Sequence, residues 1–77
     1  MKIYGYESLE DDSSDLMEMS EVTISANAKD LREIALFINQ MADKMESNPN
    51  SFEHAHLQDN WPNWNNNSPD IIIGASE

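Results

Sequence analysis

"NAKDLREIALFINQMADKMES", Asn27 to Ser47, decides how this 77-residue chain folds. Its apolar residues recur at helical spacing. Wound at about 100° per residue, Phe37, Met41, Ile34, Met45, Ile38, Leu31, Ala42 and Ala35 form one continuous arc of about 160°. Only Asp30 intrudes, at the start of the helix. Arg32, Glu33, Asn39, Gln40, Asp43 and Lys44 fill the opposite side. Leu36 falls among them and reads as a stray exposed leucine, which needs no function. Asn27 suits the N-cap, because its side-chain oxygen can accept from a free first-turn amide. Asp30 in that turn complements the helix dipole. Asn48 precedes Pro49 and is pushed out of helical geometry, so the helix ends there. An arc this wide needs a sheet or another broad surface to cover it.

The flanking segments supply strands. Upstream, "LMEMSEVTISA" (16–26) places Val22, Ile24 and Ala26 on one face at a period of two, and Met17 and Met19 on the other. A strict strand cannot send both sets to one core. Either a bulge interrupts it near Ser20, or the methionines lie on a partly open face. The strand is expected to be regular from about Ser20 onward. "MKIYGY" at the start reads as a short strand. The stretch between, 7–15, is polar and acidic and reads as a loop. Beyond the helix, "SFEHAHL" and "DIIIGAS" read as two more strands, joined by an Asn/Trp/Pro-rich loop at 58–69. The order is β-β-α-β-β. The expected class is α+β: a small antiparallel sheet with one amphipathic helix on one face, in a single domain over 1–77. The other sheet face would be partly open.

Composition narrows the chemistry. Four Lys+Arg against 15 Asp+Glu give a net charge of −11. Such a chain is repelled by phosphate backbones and anionic lipid, so direct nucleic-acid or membrane binding is disfavoured. A basic partner is favoured, although acids also serve simply to keep a small protein in solution. No cysteine is present, which removes disulfides and thiolate metal sites and fits a reducing, cytoplasmic setting. No basic region followed by an apolar stretch suggests a secretory signal. With Gly5 and Gly74 the only glycines, a glycine-rich phosphate loop is excluded, and no serine carries a nucleophile signature. The chain reads as a non-enzyme that needs no cofactor.

The unusual residues gather between Ser51 and Asp70. His54 and His56 point the same way from an extended strand. With Asp59 they make an incomplete metal-ligand set, since zinc takes at least three protein ligands and usually four in structural sites. A metal-binding module is one alternative; a structural protein pairing through its sheet is another. If Ala55 and Leu57 enter the core, the histidines face outward, which avoids finding partners for two buried imidazoles. Trp61 and Trp64 flank Pro62 in a loop of Asn and Asp. Indoles are favoured interface anchors, yet either could fold back to cap a small core. The candidate partner-binding residues are Trp61, Trp64, His54, His56 and Asp59, with Glu10, Asp11, Asp12 and Asp15 steering association.

Several short motifs occur in a suggestive order: Val22 to Ile24, Asp30 to Arg32, then Phe52, His54, His56 and Leu57, then Pro69 to Ile73. In this the chain resembles the small acidic immunity proteins of bacterial polymorphic-toxin systems, and among them immunity family thirty-two. Ala55 stands where a polar residue would be more usual. The resemblance implies a cognate inhibitor that binds and neutralises a toxin domain. Many such toxins are nucleases with basic clefts, which an acidic inhibitor could fill. The resemblance leaves open which toxin it is.

Overall fold

The computed structural model describes residues 1–7 and 17–76. Glu10, Asp11, Asp12 and Asp15, and the acidic loop apart from Glu7, lie outside the described residues.

The chain opens with a hairpin. Strands β1 (Lys2–Glu7) and β2 (Met19–Ser25) run antiparallel. Lys2 lies opposite Ser25, Ile3 opposite Ile24 and Gly5 opposite Val22. The register then shifts: Tyr6 faces Glu21, but Glu7 faces Met19, leaving Ser20 as the extra residue. This is the bulge anticipated near Ser20. The Ser20 hydroxyl donates to the Tyr6 carbonyl at 3.2 Å. The extra residue reverses side-chain parity, so Met19 joins Val22 and Ile24 on one face. Gly5 makes room for it. A Cβ there would collide with the Met19 Cε and sit 2.9 Å from the Glu21 carbonyl oxygen.

Helix α1 (Ala28–Ser47) follows at once. Asn27 caps it as its sequence implies, its Oδ1 accepting from the Asp30 amide at 2.8 Å. The far end stops at Asn48, whose amide donates to the Lys44 carbonyl at 2.9 Å. Lys44 in the last turn complements the dipole there.

Strands β3 (His54–His56) and β4 (Ile72–Gly74) form a second antiparallel ladder, with Ala55 opposite Ile73. Between them lies one helical turn, α2 (Leu57–Asn60). The α+β class holds, and the four strands and α1 come in the expected β-β-α-β-β order except that α2 is inserted between β3 and β4. The strands differ from the expected arrangement in making two two-stranded ladders rather than one sheet. A local cause is visible at Leu57. The chain leaves the extended conformation there, donating from Leu57 N to the Ile71 carbonyl at 2.8 Å, and turns into α2. That cuts β3 to three residues and drives the Leu57 side chain to complete burial.

The core is small, as a chain of this length requires. Ile34, Phe37 and Met41 of α1 meet Leu57 and Trp61. Met1, Phe52, Ala55, Trp64, Ile71 and Ile73 pack around them. Burying one such side chain contributes about 1.5–3 kcal/mol. Only one flank of the helix arc is used. Leu31 and Ile38, on the other flank, are each 42% exposed. Leu36 is exposed, as its place among polar residues implies.

Candidate interaction site

The segment from His54 to Asp70 is held by short-range hydrogen bonds, most made by the residues that mark it in the sequence. Asn60 Nδ2 donates to the His56 carbonyl at 2.8 Å, closing the α2 turn. The Trp61 amide donates to the Leu57 carbonyl, and the Trp64 amide to the Trp61 carbonyl. The Asn67 amide donates to Asn65 Oδ1 at 2.9 Å, a side-chain-closed turn of the kind Asn favours. Trp64 Nε1 donates to the Pro69 carbonyl at 3.0 Å. The Asn/Trp/Pro-rich loop is therefore held in one ordered conformation by its own side chains.

Two carboxylates anchor it to the rest of the chain. Glu33, on α1, accepts from Trp61 Nε1 at 2.6 Å and from Asn63 Nδ2 at 3.0 and 3.1 Å. The bonds from Asn63 and Trp61 hold its carboxyl below the ordinary 4.5, against a smaller opposing effect of burial, with Lys29 adding to the lowering. Asp70 accepts from the Gln58 amide at 3.0 Å and meets His56 Nδ1 at 2.6 Å. Burial pushes the Asp70 carboxyl up. The Gln58 amide, the His56 bond and charge, and the Ile71 amide together outweigh it, and the net shift is downward.

The nominated residues therefore have different fates. Trp61 is a core residue, 7% exposed, and takes the core-capping role open to it. Trp64 is half-buried against the same cluster. Ala55 packs on the core and Leu57 enters it, so the histidines turn away from it: His54 is exposed and His56 partly so. Their rings stand 5.2 Å apart, edge to face. Asp59 is exposed on α2. Among the described residues, no group of three or more His, Asp and Glu side chains could hold a metal ion. His56 has its nearest carboxylate in Asp70 rather than Asp59.

Two participants escaped the sequence reading. Glu33 was placed on the polar side of α1, and its tie to Trp61 spans 28 residues. No local pattern announces such a pair. Asp70 opens the stretch that reads as the last strand, and its carboxylate beside Pro69, following a histidine strand, is the one local sign of its tie to His56.

So far the residues have built a small α+β protein whose conspicuous polar groups are tied into structural pairs. A family model described as Immunity protein 32 matches residues 21–76, and the chain belongs to that family. An immunity function follows from membership, and with it binding to a cognate toxin. No curated protein and no solved structure matches the chain. No helix among the described residues is long and apolar enough to cross a membrane.

Proposed function

We propose that this chain, acting as one domain in the cytoplasm, neutralises its toxin without chemistry of its own, by occupying a basic surface of the toxin domain. The observation that carries this is a net charge of −11 on a member of an immunity family. A nuclease suits that charge best, because its phosphate-binding cleft is cationic. Glu10, Asp11, Asp12 and Asp15 lie in the most negative part of the chain and would speed encounter. The segment carrying His54, His56, Asp59, Trp61 and Trp64 would meet the toxin as a preformed surface. Its exposed members, His54 and Asp59, make direct contact, while Trp61 and Trp64 hold the loop in shape.

The test begins by reading the adjoining gene for a toxin domain and then uses that domain purified. An equimolar amount of this chain should abolish the toxin's activity. Association followed by stopped flow should slow by about tenfold or more as salt rises and the Debye length contracts. Full toxin activity in the presence of excess chain sinks the proposal. Unchanged association rates across the salt series sink the steering part alone.

A further inference from the structure

The β1–β2 hairpin has an apolar face that is only partly covered among the described residues: Ile3 is half-buried, and its other large apolar members are exposed. Residues opposite one another in an antiparallel ladder share a face. Ile3, Ile24, Gly5 and Val22 therefore lie together, and the bulge at Ser20 adds Met19. Val22 is 56% exposed, and Ile24 and Met19 are each 40% exposed. The other face carries Lys2, Tyr4, Tyr6, Glu21, Thr23 and Ser25, so the hairpin is amphipathic, and its apolar side keeps Val22, Ile24 and Met19 in partial contact with solvent. A two-stranded hairpin is marginal in water by itself and becomes stable when its apolar face is packed. Both its strands are also edges with ladder groups to offer. Helix α1, joined to β2 through Ala26 and Asn27, repeats the situation with Leu31 and Ile38 partly exposed. The core cluster among the described residues, meanwhile, includes none of these residues.

We infer that the apolar face of the β1–β2 hairpin is the surface on which the basic toxin domain docks. This rests on the proposed function and adds a second contact face to the one carried by the 54–64 segment. Charge selects the occupant. A second copy would bring −11 against −11, and like charges across an interface are unfavourable. A cationic partner covers the same apolar face and is attracted by Glu7, which lies opposite Met19 at its far end. The family match begins at Glu21, inside β2, so β1 lies outside the matched residues. The face is thus partly shared framework and partly this chain's own, which suits pairing with one particular toxin. A buried apolar centre with an acidic rim is the arrangement in which centre residues dominate affinity.

The experiment pairs amide hydrogen exchange with a substitution, using the full chain and the toxin domain encoded beside it. On complex formation, protection should rise at 2–7 and 19–25. Val22→Thr with Ile24→Thr keeps β-branched strand formers and removes apolar surface. It should weaken the complex on the order of a hundredfold. Unchanged far-ultraviolet circular dichroism and Trp61/Trp64 fluorescence would show that the fold is intact. Protection confined to 54–70, or wild-type affinity in the double variant, overturns the docking face while leaving toxin neutralisation standing. A wild-type dimer in light scattering that the double variant splits, with toxin affinity unchanged, assigns the face to a second copy and overturns it too. No complex between the wild-type chain and the toxin domain removes both this inference and the function beneath it.

Discussion

Two regions of this molecule hold the same kinds of apolar residue and treat them in opposite ways. On one flank of α1, Ile34, Phe37 and Met41 are buried to 2–3% exposure against Leu57 and Trp61. In the β1–β2 hairpin, Val22, Ile24 and Met19 face outward. The difference is one of partners. The helix flank meets a short ladder, a helical turn and an ordered loop that converge on it. Among the described residues, the two strands of the hairpin pack chiefly on each other. Folding energy is therefore concentrated from α1 onward, and the hairpin adds surface more than stability. Substitutions that probe each region can sharpen this division or dissolve it.

The largest effect belongs to the core. Leu57→Ala removes a fully buried side chain at the point where β3 turns into α2. Deletions of this type cost about 2–5 kcal/mol. Small domains have little stability to spare, so the variant should be largely unfolded at room temperature by urea titration. A loss below about 1 kcal/mol would mean that the site collapses around the missing atoms and that the core is less well packed than its burial indicates.

The next effect tests the tie between α1 and the loop. Glu33→Gln keeps the shape of the side chain and removes its charge from the Trp61 and Asn63 bonds. The carboxyl titrates below 4.5 in the folded chain. A depressed carboxyl contributes stability above its unfolded pKa and loses it as pH falls through the folded value. The wild type should therefore melt above the variant at neutral pH. The gap should hold down to about pH 5 and close below 4.5, where the wild-type carboxyl is itself protonated. Comparing the two chains cancels the relief of self-repulsion that acid brings to the other carboxylates. A gap that persists at low pH would show that Gln, rather than the lost charge, is at fault.

The helix cap comes third. Asn27→Ala deletes the acceptor for the Asp30 amide and should cost about 1 kcal/mol. Asn27→Gly should cost only a few tenths. Thermal unfolding of the pair separates loss of the side-chain bond from a general loosening of the junction with β2.

These features differ in how visible they are in the sequence. The cap, the stop at Asn48–Pro49 and the arc of α1 are set by neighbours within a turn or two, and local patterns reveal them. The bulge was visible as a conflict between Met19 and Val22, which a single extra residue resolves. The division into two ladders was not, because strand pairing depends on contacts far apart in sequence. Nor was the Glu33–Trp61 bond, which joins a polar helix position to a loop indole. The histidines' outward turn was legible only as a condition on Ala55 and Leu57, both of which the core now claims. What could not be read at all was that half of the apolar arc would stay open, since an amphipathic pattern records apolar surface without saying which molecule covers it.

The smallest expected effect on folding bears most directly on that open surface. If the hairpin face is free in the isolated chain, Val22→Thr and Ile24→Thr change little that is already out of water. Each should shift unfolding in urea by no more than about 0.5 kcal/mol, as surface substitutions do. Fluorescence of Trp61 and Trp64 reports the core half, and exchange of the β2 amides reports the hairpin. A loss near 2 kcal/mol for either variant would place those side chains against α1 in solution. The exposed flank carrying Leu31 and Ile38 would then be their resting place, and the two regions contrasted here would be one core.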